Sequence, residues 1–216
     1  MSEVPIRPDF EEILRLVRPG SRVLDVGCGE GDLLELLTRR KGVDGRGLEI
    51  SAGGVSACLA RGLAVMQGDA DRDLDYFPAG AFDYVILSQT LQAVLRPRHV
   101  LGELLRIGER AIVSLPNFGH WRVRLDLLLH GRMPMTAALP EPWWATSNIH
   151  LCTMGDFTGL CADMGLAIDA CAAFAGGGQA RAVEPNRRLE NLRAETALFL
   201  LRRRVQPSAA GGPPGP

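Results

Sequence analysis

The stretch Val23-Leu24-Asp25-Val26-Gly27-Cys28-Gly29-Glu30-Gly31-Asp32 decides the fold of this chain. A short, mostly apolar strand runs into three glycines at alternate positions, and a leucine-rich segment with helical spacing follows. This order predicts a strand, a tight turn and a helix N-terminus, which together open a nucleotide-binding α/β domain. Glycine is needed because the turn requires special backbone angles and a ligand approaches the main chain closely. Glu49 ends the next predicted strand, where its carboxylate can accept both hydroxyls of a ribose.

Acidic residues around the turn indicate the class of ligand. A dinucleotide fingerprint would carry its third glycine at position 32, but Asp32 stands there and the glycine is Gly31. A pyrophosphate would meet Asp25, Glu30 and Asp32, which are poor neighbours for an anion. A ligand with an amino group and a sulfonium suits this rim better. A nicotinamide dinucleotide and a glycine turn without any ligand remain the alternatives.

The motif resembles the first motif of class I S-adenosylmethionine (SAM)-dependent methyltransferases. The resemblance implies that Asp25 faces the methionine end of the cofactor, Gly27 to Gly29 pass beneath it, and Glu49 holds the ribose. The demethylated product, S-adenosylhomocysteine, would occupy the same site. The residues expected at the cofactor are Asp25, Gly27, Cys28, Gly29, Glu49, Ile50, Asp69, Ala70, Ser88 and Gln89.

Polar residues follow the third and fourth predicted strands, at the edge of the sheet where ligands bind. In the methyltransferases that this chain resembles, an acidic residue at the place of Asp69 accepts a hydrogen bond from the adenine amino group. Asp69 could instead only form a turn after Gly68. Ser88 and Gln89 would line the same opening, although Gln89 could equally be a solvent-facing helix residue.

Composition sets limits on the function. The 216 residues suit one α/β domain with an insertion, and the net charge of −1 gives no reason to expect nucleic acid or an acidic membrane as a partner. The N-terminus lacks the apolar core of a signal peptide, and no apolar run approaches the roughly 18 to 20 residues of a membrane span. Five cysteines without any C-x-x-C pair indicate free thiols, no metal site and a cytoplasmic location.

Strands and helices alternate along the chain, which predicts a mainly parallel, seven-stranded sheet with helices on both faces. Asp9 is predicted to cap the first helix, and Thr153 and Asp156 are predicted to form a capping pair that begins the helix after residue 153. We expect one Rossmann-like domain over residues 1–204, with a connection of undefined role over 172–195 before the last strand. The tail, residues 205–216, lacks a hydrophobic pattern and is predicted to be disordered.

Residues 117–151 interrupt the alternation and are predicted to form a cap inserted after strand five. This cap holds all three tryptophans, and one ring of the Trp143-Trp144 pair is expected to pack inward while the other meets a ligand or another subunit. His120 and His150 flank the cap and could serve either as a general base or in packing. The cap arginines 122, 124 and 132 favour solvated charge or partner contact over a phosphate clamp.

Four segments together resemble the MetW family of bacterial methionine-biosynthesis proteins. They are the glycine motif (23–29), Asp83-Tyr84-Val85-Ile86-Leu87-Ser88-Gln89-Thr90-Leu91-Gln92, Pro116-Asn117-Phe118-Gly119-His120-Trp121-Arg122 and Asn148-Ile149-His150-Leu151-Cys152-Thr153. The likeness runs from about Arg7 to Arg203, although residues 187–195 depart from the family pattern. It implies a role in amino-acid biosynthesis beside a homoserine O-acyltransferase of the MetX type, the enzyme that forms acetyl- or succinyl-homoserine.

Two functions therefore stay open. In one, the chain binds SAM or S-adenosylhomocysteine and supports the acyltransferase as an accessory protein. In the other, it is an active methyltransferase that acts on a small-molecule acceptor. Because methyl transfer needs alignment and exclusion of water more than a base, a missing base would not separate the two. Co-purification with the acyltransferase, compared with methylation of metabolites, would distinguish them.

Overall fold

The structure, a computed structural model, describes residues 7–136, 139–176, 178–185 and 187–204. The strands are β1 (Arg22–Val26), β2 (Asp44–Glu49), β3 (Ala64–Gln67), β4 (Phe82–Ser88), β5 (Gly108–Pro116), β6 (Leu166–Phe174), β7 (Arg181–Ala182) and β8 (Thr196–Arg203). The helices are α1 (Pro8–Leu16), α2 (Asp32–Lys41), α3 (Ala52–Ala60), α4 (Pro97–Ile107), α5 (Trp121–His130), α6 (Met154–Asp163) and α7 (Arg188–Arg193). The tail predicted to be disordered lies outside the described residues.

All the strands belong to one mixed sheet in the order β3-β2-β1-β4-β5-β8-β6-β7. The first five in this order are parallel, while β8 runs antiparallel to both β5 and β6. The prediction of a mainly parallel α/β sheet is confirmed, but its count of seven strands is wrong. The eighth strand, β7, pairs with β6 over two residues inside the 172–195 connection, which also holds α7. Its shortness explains why no periodic pattern marks it.

Alternate side chains of the central strands face two separate cores. On one face, Val23 and Ile86 pack with α1 and α2; on the other, Leu24 and Val85 pack with α4 and α6. Strands buried on both faces require mostly apolar residues, and three of the five residues of β1 and five of the seven of β4 are apolar. Since the chain leaves β1 toward β2 on one side and reaches β4 on the other, the sheet has its topological switch between β1 and β4. Ligands of such sheets bind in the crevice at this point.

Asp9 does not cap α1, contrary to the prediction. The helix begins at Pro8 with Arg7 at the N-cap position, and no side chain makes a capping hydrogen bond there. Proline suits the first helical position because its missing N–H would have no partner in any case. Asp9 therefore falls within the first turn, where it is buried. The capping box predicted for α6 is confirmed, because Thr153 and Asp156 exchange hydrogen bonds with each other's backbone N–H groups.

Candidate functional site

The glycine loop after β1 lies at the carboxyl edge of the sheet. Gly27 and Cys28 both donate their backbone N–H to the Leu48 carbonyl, at 2.7 and 3.2 Å, which fixes the loop to β2. Gly27 has a φ of 72°, and a Cβ there would lie 2.8 Å from Thr90 Oγ1. Gly29 has a φ of 57° and open space where its Cβ would be. The loop thus packs against Thr90, just after β4, at Gly27 and leaves its surface open at Gly29.

Glu49 holds the open part of this loop. One carboxylate oxygen accepts the Gly29 N–H at 2.9 Å, and the other accepts the Ser51 N–H at 2.8 Å. The side chain is buried. Each carboxylate oxygen can accept a second hydrogen bond, so Glu49 keeps acceptor capacity for the two hydroxyls of a ribose. Stabilisation of the loop is a role that the sequence did not reveal.

Asp25 places a carboxylate at the base of the crevice. Its side chain is 2% exposed and accepts no hydrogen bond from any residue in the described ranges. Burial raises its pKa to about 7; Arg7 acts in the opposite direction, and the charges of Glu49 and Asp9 raise it further. A buried carboxylate without a partner is unfavourable for folding, and such groups concentrate at functional sites.

A cleft of about 130 Å³ lies beside the glycine loop, between the ends of β2, β3 and β4. The sequence-predicted residues among its lining are Gly27, Ile50, Asp69 and Ala70. Asp69 accepts the Asp71 N–H at 2.9 Å, so it does form a turn, and it lines the cleft as well. The cleft is smaller than the roughly 300 to 1,000 Å³ of a whole ligand pocket. It therefore suits one ring system of a larger ligand that continues over the loop.

Asp71 is a buried residue that sequence reasoning missed. Its carboxylate accepts the backbone N–H groups of Leu95 and Arg96, at 2.7 and 2.9 Å, and joins the segment after β3 to the start of α4. Arg96 in turn donates to the Asp71 carbonyl. Both walls of the cleft are thereby tied together. A signal was present in the sequence, since acidic residues recur at positions 69, 71 and 73, but only their folded position assigns the roles.

Ser88 ends β4 at the same edge, and Gln89 follows it. The Ser88 hydroxyl donates to Asp9 at 2.9 Å and accepts from Arg7 at 3.0 Å, so it points toward α1. Gln89 has a φ of 50°, a conformation that non-glycine residues adopt rarely. Its N–H donates to both the carbonyl and the hydroxyl of Ser114, which holds this backbone in place. Such strained positions cluster at ligand-binding sites.

Cys28 contributes its backbone to the loop but not its thiol. The Sγ atom lies 3.9 Å from that of Cys58, beneath the loop, and a Cβ on Gly47 would come within 2.6 Å of it. Burial raises the pKa of both thiols. All five cysteines are free, as predicted, and burial also raises the pKa of the remaining three, which keeps them neutral and unreactive.

The two cap histidines lie apart from the cleft at Asp69. His120 is 4% exposed, and burial is the main cause that lowers its pKa; Arg122 lowers it further, whereas Glu195 raises it. It lines a separate cavity of about 360 Å³ under α5, which shares no residue with the cleft. His150 donates its backbone N–H to the Gln92 carbonyl, while its Nε2 is buried without a partner in the described ranges. Neither imidazole is among the residues that line the cleft at Asp69.

Asn117 joins the cap segment to the rest of the fold. Its amide donates to the carbonyls of Asn191 and Ala194, at 2.7 and 2.8 Å. Its side-chain oxygen accepts the N–H groups of Gly119 and Met154, at 2.9 and 3.1 Å. One buried side chain thus connects the end of β5 with α6 and α7. In the sequence, Asn117 belongs to the motif over residues 116–122, which gives no indication of this role.

The cap exposes a large apolar surface. Trp143 and Trp144 are 69% and 73% exposed and contact each other edge to face, so the prediction that one ring packs inward is wrong. Their segment has no regular secondary structure, and none of residues 141–150 is buried. Most exposed large apolar side chains of the described residues belong to this region: Trp121, Leu125, Leu127, Leu128, Leu129, Met133, Met135, Trp143, Trp144, Ile149 and Leu151.

The cap arginines do not form a common anion site. Arg124 donates to the Gly119 carbonyl at 2.6 Å, whereas the Arg122 guanidinium lies over the Trp121 ring, 5.3 Å from its centroid. In the part of the chain that the structure describes, no cluster of His, Cys, Asp or Glu could hold a metal ion. Within the same ranges, no helix is long and apolar enough to cross a membrane.

Comparison with known proteins finds relatives over nearly the whole described chain. The family model "Methionine biosynthesis protein MetW" matches residues 7–201. A bifunctional methionine biosynthesis protein MetXA/MetW from Rhodopirellula baltica is 34% identical over 211 residues, which cover 94% of this chain and 34% of that protein. The nocamycin O-methyltransferase of Saccharothrix syringae is 33% identical over 155 residues, which cover 63% of this chain and 55% of that enzyme. The chain thus spans about a third and about half of these two relatives.

The fold also has close structural neighbours. The crystal structure of a SAM-dependent methyltransferase, possible histamine N-methyltransferase, from Thermotoga maritima superimposes with a TM-score of 0.65 at 15% sequence identity. The match covers 92% of this chain and 90% of the neighbour. At this identity, the likeness establishes a methyltransferase-like fold.

Proposed function

The chain belongs to the MetW family, and we propose that it binds SAM or S-adenosylhomocysteine and supports a MetX-type homoserine O-acyltransferase in methionine biosynthesis. The observation that carries the ligand proposal is the open Gly29 loop, held by Glu49 beside a cleft at the switch point of the sheet. The residues present fit an adenosyl ligand.

The parts of the ligand correspond to particular side chains. Glu49 would accept hydrogen bonds from the ribose hydroxyls with the lone pairs that Gly29 and Ser51 leave unused. Asp69 would accept one from the adenine amino group, with Ile50 beside the ring. Asp25, buried and without a partner in the described ranges, would receive the ammonium group. When bound, SAM supplies an activated methyl group; the side chains here bind and orient it.

The acyltransferase is proposed as the partner because one relative carries MetXA and MetW in a single protein. Across 94% of its length, this chain is 34% identical to that protein, so its counterpart there is covalently joined to a MetX portion. The exposed apolar cap supports the proposal from the structure. Large exposed apolar patches on a folded protein mark interaction sites, and aromatic residues are common anchors at their centres.

An active methyltransferase is the second candidate. Similarity to the nocamycin O-methyltransferase, and to a ubiquinone biosynthesis O-methyltransferase from Hahella chejuensis at 34% identity over 110 residues, favours it. These matches cover 63% and 49% of this chain, less than the MetXA/MetW match. His120 would be its neutral base candidate, although its cavity is separate from the cleft at Asp69.

Reconstitution with purified proteins tests the two functions. The chain is mixed with a MetX-type acyltransferase, with and without SAM, and acyl transfer to homoserine is followed together with elution on a sizing column. A complex that raises acyltransferase activity supports the accessory role. Separate elution and unchanged activity in both conditions contradict it. Labelled SAM incubated with this chain and a metabolite extract tests the methyltransferase reading in parallel, because that activity needs no acyltransferase.

A further inference from the structure

The turn after β4, residues 89–94, contacts two separate parts of the molecule. On one side, Thr90 packs against Gly27 of the glycine loop and lines the cleft beside it. On the other side, the backbone carbonyl of Gln92 accepts the N–H groups of Ile149 and His150, both at 3.0 Å. The same short turn therefore forms a wall of the proposed adenosyl site and holds the cap.

Residues 140–150 carry Trp143 and Trp144, and Gln92 is their main attachment to the fold. Within the described ranges, no other hydrogen bond joins these residues to the rest of the chain. None of them is buried, so apolar packing fixes them weakly. The position of the two tryptophans therefore depends on the position of Gln92.

The Gln92 side chain connects this attachment to a strained backbone. Gln92 is 5% exposed, and its Nε2 donates to the Gln89 carbonyl at 2.7 Å. Gln89 has a φ of 50°, where a side chain is unfavourable, and Ser114 holds its N–H from β5. A conformation of Gln89 with negative φ would relieve this strain, so the turn has a competing arrangement close in free energy.

Two unpaired polar atoms lie at the same attachment. Gln92 Oε1 and His150 Nε2 are buried and lack partners in the described ranges. Buried polar atoms are nearly always paired, and an unpaired one is costly. A rearrangement of the turn that brought the two atoms within hydrogen-bond distance would recover this cost. The strain at Gln89 and the two unpaired atoms thus both favour a second arrangement that a ligand can select.

We propose that Gln92 couples the adenosyl site to residues 140–150, so that ligand binding changes the position of Trp143 and Trp144. This coupling rests on the proposed function, since it concerns the same ligand. Contact between the ligand and the turn shifts the backbone at Gln89, and the Gln92 side chain transmits the shift to the segment that its carbonyl holds. Gln92 is a positioning residue, because it acts through Gln89 and the cap. Since the two tryptophans are the proposed anchors for the acyltransferase, that contact would depend on the adenosyl ligand.

Tryptophan fluorescence during titration with S-adenosylhomocysteine tests the coupling, because all three tryptophans of the chain belong to the cap. We expect the emission of the unaltered chain to change as the ligand binds. Gln92→Met keeps the length of the side chain but removes its Nε2 donor and the unpaired Oε1. By calorimetry, this variant should bind the ligand within about fivefold of the unaltered affinity. It should lose most of the fluorescence change.

Gln67→Met is the matched control. Gln67 Nε2 donates to the Ile50 carbonyl at 3.4 Å, so the same substitution removes a comparable hydrogen bond at the end of β3 and away from the cap. The fluorescence change should persist in this variant. Urea unfolding of both glutamine variants separates an effect on the cap from a folding defect.

Ile149→Pro breaks the other end of the connection. Proline has no N–H, so one of the two hydrogen bonds to the Gln92 carbonyl is lost, and Ile149 is 52% exposed and contributes little to the core. This variant should bind the ligand and also lose most of the fluorescence change. Ile149→Val retains the N–H and should behave as the unaltered chain. Because position 149 lies at the surface, this pair tests the coupling even if Gln92→Met fails to fold.

The outcomes are distinguishable. If the unaltered chain does not bind S-adenosylhomocysteine by calorimetry, the proposed ligand fails and the coupling fails with it. If it binds the ligand without a fluorescence change, the adenosyl site stands and the coupling is overturned. If Gln92→Met and Ile149→Pro keep the full change, the role of Gln92 is overturned. A change that is lost in these two variants and persists in Gln67→Met and Ile149→Val supports the coupling.

Discussion

The Glu49 carboxylate accepts the backbone N–H of Gly29 at 2.9 Å, so the residue proposed to bind the ribose also shapes the loop beneath the ligand. Gly54 packs against both: a Cβ there would lie 2.8 Å from the Gly29 carbonyl oxygen and 2.9 Å from Glu49 Cγ. The start of α3 is therefore packed closely against both the carboxylate and the loop. A substitution at Glu49 should therefore change ligand binding and the geometry of the loop together.

Glu49→Gln should weaken both folding and ligand binding. A glutamine has one side-chain oxygen, so it cannot accept the N–H groups of both Gly29 and Ser51 as the carboxylate does. We expect a loss of about 1 to 2 kcal/mol in unfolding free energy and about 1.5 to 3 kcal/mol in S-adenosylhomocysteine binding. Urea unfolding measures the change in stability, and calorimetry measures the change in ligand affinity. Glu109→Gln, at an exposed pair with Arg18, should change neither, and wild-type binding by Glu49→Gln would contradict the site.

Gly29→Val should abolish ligand binding. Gly29 has open space around its missing side chain on the surface of the loop, where the ligand is proposed to lie. Gly42→Val is the matched control, because Gly42 has a similar φ of 60° and equally open surroundings but caps the C-terminus of α2. Both variants should lose roughly 1 to 2 kcal/mol of stability through backbone strain. Equal affinity of the two for S-adenosylhomocysteine would show that the ligand passes elsewhere.

The free energy of unfolding should fall as pH rises because the Asp25 carboxyl is buried. Its folded-state pKa of about 7 lies above the unfolded value of 3.8, so the folded chain binds the extra proton between these pH values. The stabilising contribution is complete below pH 4 and is lost as pH rises through about 7. Asp25→Asn removes the buried charge and should raise the unfolding free energy at pH 8 by a few kcal/mol at most, with a smaller gain at pH 5 and little gain below pH 4.

Because of Asp25, ligand affinity should rise as pH rises, whereas stability should fall. The ionised carboxylate is the form that receives an ammonium group, so S-adenosylhomocysteine should bind more tightly at pH 8 than at pH 5.5, and Asp25→Asn should bind weakly at both. Asp83→Asn is the control for unfolding. Arg22 hydrogen bonds lower the pKa of Asp83, so its contribution is lost as pH falls. A stability profile of Asp25→Asn parallel to that of the unaltered chain would contradict the burial of this charge.

Asn117→Ala should destabilise the whole chain. The substitution leaves the carbonyls of Asn191 and Ala194 and the N–H groups of Gly119 and Met154 without their partner. We expect a loss of at least about 2 kcal/mol in unfolding free energy by urea titration. Asn148→Ala is the control, because that side chain makes no hydrogen bond to the described residues. Equal stability of the two variants would refute the connecting role of Asn117.

Trp143→Ala and Trp144→Ala should weaken the complex with the acyltransferase without affecting folding. Both rings are mostly exposed, so their removal costs little core packing, while aromatic anchors commonly contribute more than about 1 kcal/mol to an interface. Tyr76→Ala provides the comparison, since Tyr76 is as exposed as the tryptophans but lies outside the cap. Titration on immobilised acyltransferase measures the affinities. If Tyr76→Ala weakens the complex as much as the tryptophan variants, the cap is not the contact surface.

Local sequence patterns were sufficient to predict the glycine loop, the main helices and every strand of the described sheet except β7. The alternation of apolar segments and turns predicted β1 to β5 in order, and the capping pair of Thr153 and Asp156 marked the start of α6. These features depend on neighbours within a few residues, so the sequence carries them directly. The two-residue strand β7 was missed for the same reason: it is too short for a period and forms only because β6 is beside it.

The acidic residues show where sequence alone was insufficient. Asp25, Glu49 and Asp69 could be placed at strand ends, because a parallel sheet brings its carboxyl ends to one edge. Asp9 looked like a helix cap, and only the folded chain turns it toward Ser114, 105 residues away. Asn117 likewise gained its role through contacts with α6 and α7. The sequence by itself determined the sheet and the edge at which we propose that the ligand binds. The tertiary structure decided which polar groups meet at that edge, because hydrogen bonds between distant segments leave no local pattern.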